Sequence, residues 1–268
     1  MHPRVSLSEL SSWNWTLDED LAFYEQAGIT TIGASLAKLE RAGWKQGAYR
    51  IRDAGLRVAN LIGVGPFQLA DRSHWDEQRE RVHRAVDAAH ILEAECLVLT
   101  TGPAGPLTWE QAADEFAEAM QPIFDHAAHV RVPIAVEHTN SLRVDVGFLH
   151  NLRDTIDLAR RLNVGVCVET NACWAERGLA DTLRSGVDTF RLVQVSDFAV
   201  GTLSTPNRLV PGDGDIPLPR VLGDVLAAGY EGVFDLELIG PRIEEEGYAL
   251  ACRRAVDNLG AILESLDA

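Results

Sequence analysis

The sequence predicts an α/β protein built as a single (β/α)8 TIM barrel, with residues 1–268 as one domain. Three observations predict it. Short runs rich in Val, Ile and Leu recur along the chain without polar alternation, as parallel strands buried on both faces do. A stretch with helical periodicity follows each run, giving eight strand–helix units in a length that α/β barrels commonly occupy. The first strand is not followed by a glycine-rich turn: Ser6-Leu-Ser-Glu-Leu-Ser-Ser-Trp-Asn-Trp15 contains no glycine, which disfavours the alternative, an open doubly wound sheet.

The elements follow in order. Strand Arg4–Ser8 precedes a helix over 16–27, opened by Thr16-Leu-Asp-Glu19 with capping-box spacing and closed at Gly28. Strand Thr31–Ser35 precedes a helix over 36–54, closed at Gly55, and strand Arg57–Gly63 precedes a helix over 73–93. Strand Glu95–Thr101 precedes a helix over 108–129, again with a capping box in Thr108-Trp-Glu-Gln111. Strands Pro133–Thr139 and Val164–Thr170 precede helices over 147–161 and 176–187. Strand Arg191–Asp197 precedes a helix over 217–228, closed at Gly229. Strand Val233–Ile239 precedes a last helix over 244–265, where Glu244–Glu246 suit the positive end of a helix dipole.

Charge and length narrow the function. The chain has 268 residues, enough for a core of its own, with 24 basic and 40 acidic residues and a net charge of −16. Such a polyanion is repelled by nucleic acid and by anionic membranes, so neither is expected as a partner. No apolar run reaches membrane-spanning length, and Met1-His-Pro-Arg4 leads straight into a strand without an export signal, so a cytoplasmic protein is expected. Cys96, Cys167, Cys173 and Cys252 form no CxxC pair; Cys96 and Cys167 lie in apolar strands and read as core thiols.

Catalytic groups of such a barrel stand at the C-terminal strand ends. Four consecutive strands place polar groups there: Ala135-Val-Glu137-His138-Thr-Asn140, Cys167-Val-Glu169-Thr-Asn171, Val193-Gln194-Val-Ser196-Asp197 and Asp235-Leu-Glu237-Leu-Ile-Gly240. Carboxylates in apolar strands are costly unless they are paired or bind a cation. Glu137, Glu169 and Glu237, with the Gln194 amide, form an oxygen-rich set suited to a hard ion, Mn²⁺ or Mg²⁺ first, Co²⁺ or Zn²⁺ as alternatives.

These residues also carry a family pattern. The run Val193-Gln-Val-Ser-Asp197, the loop Asn207-Arg-Leu-Val-Pro-Gly-Asp-Gly-Asp-Ile-Pro217 and the run Gly229-Tyr-Glu-Gly-Val-Phe-Asp-Leu-Glu237 resemble the sugar phosphate isomerase/epimerase superfamily of xylose isomerase-like barrels. The resemblance is specific from Val136 onward. It implies that Glu137 and Glu237 are a metal-binding acid/base pair, that Glu169 is a third ligand where the family usually has Asp, and that Gln194 stands where the family usually has His. It implies that Arg208 reaches the substrate, while Ala172 stands where many sugar epimerases have a second His. Barrels of this family often self-associate, so a homo-oligomer is expected, although no stretch marks an interface.

The expected chemistry is proton abstraction beside a carbonyl of a sugar-like or polyol substrate, with a metal-stabilised enediolate. Returning the proton to the opposite face epimerises, returning it to the neighbouring carbon isomerises, and loss of a β-substituent makes the enzyme a lyase. A lyase and a non-catalytic or metal-free member are the rival readings. Asn140 and Asn171 are expected at substrate hydroxyls or in turns. His138 alternates to the other strand face and reads as packed, with a substrate role as the second reading. Trp13, Trp15, Phe67 and Trp174 follow strand ends and read either as stacking groups or as loop packing. The loop Phe198–Asp215 is long enough to be a binding loop, and its Asp213 and Asp215 favour an unphosphorylated substrate. His126 and His129 read as solvated helix-surface groups.

Overall fold

The computed structural model describes residues 1–268. Eight parallel strands close in sequence order: β1 Val5–Ser8, β2 Thr31–Ser35, β3 Arg57–Val64, β4 Leu97–Thr100, β5 Ile134–Glu137, β6 Gly165–Glu169, β7 Phe190–Val195 and β8 Phe234–Leu236, with β8 pairing back onto β1. Eleven α-helices surround them: α1 Leu17–Ala27, α2 Leu36–Arg41, α3 Trp44–Asp53, α4 Trp75–Leu92, α5 Trp109–Val130, α6 Leu152–Leu162, α7 Thr170–Cys173, α8 Leu179–Gly186, α9 Leu218–Ala227, α10 Pro241–Glu246 and α11 Tyr248–Ser265. No helix is long and apolar enough to cross a membrane.

Strand alternation divides the core in two. Val5, Leu7, Ile32, Ala34, Leu97, Leu99, Val136, Val166, Val168, Phe234 and Leu236 point outward and join one large cluster with the helices. The barrel lumen holds a smaller cluster that includes Ile62, Cys96, Val98, Ala135, Cys167, Leu192 and Val233. Small groups dominate there because side chains from all eight strands converge on one axis. All four cysteines are free and buried.

Both capping boxes form: Thr16 accepts from the Glu19 amide while Glu19 accepts from Thr16, and Thr108 and Gln111 do the same. Three helices differ from the sequence reading. The span 36–54 breaks at Gly43, whose φ of 74° ends one helix and begins the next. The span 147–161 begins at Leu152, capped by Asn151, because the preceding backbone serves the barrel rim: Gly102 donates to the Val146 carbonyl and Thr139 to that of Leu149. Glu244–Glu246 do not open the last helix; they end α10, and Gly247 (φ 89°) separates it from α11.

A buried ionic network anchors the loop after β1. Lys38 on α2 pairs with Asp20 on α1 and donates to the Ser12 carbonyl and hydroxyl, each at 3.0 Å. Glu9 accepts from the Ser35 amide at 2.7 Å, and burial, reinforced by Asp20, pushes its carboxyl up to about 8.

Candidate active site

The strand ends β5 to β8 gather Glu137, Glu169, Gln194 and Glu237 at one mouth, all almost fully buried. Each belongs to the inward set of its strand, two residues above Ala135, Cys167, Leu192 and Asp235 respectively. A fifth group comes from the loop after β7. Its path is fixed by Asp197, whose carboxylate accepts from the amides of Phe198, Gly212, Gly214 and Ile216 at 2.8–3.1 Å. Gly212 and Gly214 thus serve this turn, while Asp213 pairs with Arg254 and Asp215 accepts from the Val200 amide. The loop returns as an antiparallel bridge, Asp197 with Leu209, and the Arg208 amide donates to the Ile239 carbonyl. Gly240 is required at that crossing, because a Cβ there would stand 2.9 Å from the Arg208 nitrogen.

Arg208 thereby lies among the carboxylates. Its guanidinium is 2.6 Å from Glu169 and 3.2 Å from Glu237, and it also donates to the Glu237 carbonyl at 3.2 Å. The Gln194 amide nitrogen donates to the other Glu237 oxygen, while its carbonyl oxygen accepts from the Cys167 thiol at 3.2 Å. Glu169 is further fixed by accepting from the Asn171 amide at 2.9 Å.

The electrostatics divide the carboxyl groups. Burial raises the Glu137 pKa well above the usual range, and the charges of Glu237 and Glu169 raise it further against Arg208 and Arg143. Burial also raises Glu169, with Arg208 opposing. Burial works against the charge on Arg208, but Glu169, Glu237 and Glu137 outweigh it and raise its pKa. One layer below, Asp235 is pushed up to about 7 by burial, opposed by hydrogen bonds from Ser6 (2.6 Å) and Asn60 (3.1 Å).

A cavity of about 220 Å³ opens over these groups. Glu137, Asn140, Glu169, Asn171, Arg208 and Glu237 line it. Asn140 lines the cavity and also accepts from the Leu142 amide in a turn. Gln194 is not a lining residue and meets the site through Glu237. His138, read as packed with a substrate role as the second reading, and Trp174, read as a stacking group or loop packing, do not line the cavity. His138 is fully buried; its Nε2 accepts from the Glu169 amide at 3.1 Å, and burial drives its pKa down to about 3. It therefore holds the end of β6 as a neutral ring. Trp174 packs beside the core at the end of α7. Of the other aromatics, Trp15 packs against Phe23 and Tyr248, Phe67 against Phe116, and Trp13 is exposed. His126 is not simply solvated: it lies 2.9 Å from Asp87 and packs at a tilt against the His83 ring.

Sequence reasoning missed Thr100, Thr139, Arg143, Phe198 and Asn207, which also line the cavity. Arg143 lies three residues past Asn140 in the same loop, and Phe198 opens the loop marked for its length. It also missed Leu10, just past β1, and the apolar residues of β3 and β4 that line the other side, because they look like any other core residue.

The three carboxylates have the oxygen chemistry of a hard divalent ion, and Arg208 offsets only one of their negative charges, whereas the carbonyl of Gln194, expected as a fourth ligand, is turned to the Cys167 thiol. The carboxyl oxygen Oε2 of Glu169 lies buried without a hydrogen bond, facing Arg208 as an ion pair alone. No three His, Cys, Asp or Glu side chains are gathered as ligands about one point. The residues fit such an ion by chemistry and charge, and Arg208 shares their oxygens.

A family model described as xylose isomerase-like TIM barrel matches residues 21–259. Solved structures match over nearly the whole chain. A protein of Sinorhizobium meliloti 1021 aligns with a TM-score of 0.86 at 22% identity, covering 98% of each chain. The IolI protein, described with a bound zinc atom, aligns with a TM-score of 0.83 at 16% identity, again over 98% of each. D-allulose 3-epimerase from Methylomonas sp. aligns with a TM-score of 0.76 at 16% identity and 98% of each. At these identities the likeness to solved structures is one of fold.

Proposed function

The chain belongs to the xylose isomerase-like TIM-barrel family, and we propose that it is an isomerase or epimerase that moves a proton beside the carbonyl of a small, unphosphorylated sugar-like or polyol ketone. The observation that carries this reading is the placement of Glu137 and Glu237 on one cavity with Arg208 beside them. Two carboxyl groups with different surroundings are what an exchange of protons needs. Glu237 receives donors from Arg208 and Gln194, whereas burial beside two like charges favours the protonated form of Glu137.

The Glu237 carboxylate takes the proton from the carbon next to the carbonyl, and the electron pair moves onto the carbonyl oxygen. Arg208 faces that developing charge. Glu137 returns its own proton, to the other face of the same carbon for epimerisation or to the neighbouring carbon for isomerisation. The two glutamates end with their protonation states exchanged, and proton exchange with solvent, or a turnover in the reverse direction, resets them. Asn140 and Asn171 orient hydroxyl groups. His138 and Gln194 act through Glu169 and Glu237, which they hold in place. Glu137, Glu169 and Glu237 would hold Mn²⁺ or Mg²⁺, which when bound would supply further positive charge beside the reacting oxygens; the Gln194 carbonyl would join them only after turning from the Cys167 thiol.

The test is deuterium incorporation into keto-sugars and keto-polyols in D₂O, read by NMR with and without added Mn²⁺. Exchange that Glu237→Gln abolishes is expected. Its absence across a panel of such ketones would sink the reading. Release of water or of a β-substituent would make the enzyme a lyase working from the same first step.

A further inference from the structure

The cavity is polar on one side only. Its carboxylates, asparagines and Arg208 come from β5–β8 and their loops. Leu10, Ile62 and Val98 line the cavity from the β1, β3 and β4 side, and Ile239, just past β8, joins their apolar surface. Leu10, Ile62 and Val98 belong to the lumen cluster, and Ile239 packs on it, so the upper surface of that small core is itself a wall of the site. The Thr100 hydroxyl on β4, which also lines the cavity, donates to the Val64 carbonyl at 3.2 Å.

A ring-sized polyol carries hydroxyls around its whole edge. Seated with its carbonyl against Glu137 and Glu237, a fully hydroxylated ring would press some of them onto Ile62 and Val98. Those hydroxyls would leave water without gaining partners. Building on the proton-transfer reading, we infer that the substrate is a ring-sized ketone oxygenated on one side only, with methylene or methyl groups along the edge that meets Leu10, Ile62, Val98 and Ile239. An apolar surface rejects an added hydroxyl by up to about a hundredfold, so the expected preference is roughly ten- to hundredfold.

Two probes decide it: 2,3-dihydroxycyclohexanone and its fully hydroxylated counterpart, a pentahydroxycyclohexanone. Binding is measured by calorimetry and proton exchange by NMR in D₂O, on wild type, Val98→Thr and Ile62→Asn. The first change is nearly isosteric and keeps the fold if the second does not. Tighter binding of the dihydroxy ketone by tenfold or more, narrowed in Val98→Thr, supports the inference. Equal binding, preference for the pentahydroxy ketone, or no binding of either overturns it. Selective binding without exchange overturns the proton-transfer reading and leaves the one-sided pocket standing.

Discussion

Arg208→Met removes the single cation that lies between Glu169 and Glu237. Breaking one side of a buried ion pair costs about 3–5 kcal/mol, and the lower value applies because the guanidinium retains 16% exposure. For a chain of this length that is a fall in Tm of about 6–12 °C. The loss depends on pH with a definite sign. Burial already raises Glu137 and Glu169 above their ordinary 4.5, so the folded state binds more protons than the unfolded one. Their contribution is fully present below about 4.5 and is lost as pH rises through the raised values. Without Arg208 those values rise further, and the penalty at pH 8 grows while at pH 5 protonation removes it. Thermal unfolding by circular dichroism, in chelator, at pH 5 and pH 8, measures this for wild type, Arg208→Met and Arg208→Lys. The lysine variant keeps the charge and recovers part of the loss. A deficit equal at both pH values, or none, would refute the placement of Arg208 as their counter-ion.

Other consequences follow from the same contacts. Lys38→Met strands Asp20 in the core and lowers stability by about 3–5 kcal/mol without altering the cavity, so unfolding should shift while ligand binding at low temperature does not. Asp197→Ala leaves four backbone amides without their acceptor and loosens the loop that carries Arg208; KM should rise severalfold more than Tm falls in proportion, as steady-state kinetics beside a melting curve would show. Gln194→His replaces a neutral amide with an imidazole beside Glu237 and should tighten Mn²⁺ binding by about tenfold or more in calorimetry; unchanged affinity would remove Gln194 from the ligand set.

The barrel was legible because its code is repetitive. Eight apolar runs with helical stretches between them leave few alternatives, and the capping residues at Thr16 and Thr108 mark two helix starts to the residue. The strand-end glutamates stood out because a charge in an apolar run demands a partner. The partner itself was less legible. Arg208 lies beyond a long loop whose return depends on Asp197 binding amides up to nineteen residues away, a contact no periodicity encodes. The helix breaks at Gly43 and Gly247 were missed because the apolar spacing continues across both. His138 shows the limit of motif adjacency: one residue from Glu137, it turns away and holds the neighbouring strand. The apolar wall was invisible for the opposite reason, since Ile62 and Val98 carry no mark that separates a cavity surface from a core.

The central claim is that Glu137 and Glu237 exchange protons with a carbon beside a carbonyl. The most direct measurement is deuterium incorporation into a ring-sized keto-polyol in D₂O by wild type, Glu137→Gln and Glu237→Gln, each first shown to be folded. The account predicts exchange by wild type at one carbon next to the carbonyl. It predicts loss of that exchange in Glu237→Gln, and in Glu137→Gln washout into solvent without epimerised or isomerised product. Exchange that survives in Glu237→Gln, or turnover to product that survives in Glu137→Gln, would contradict it.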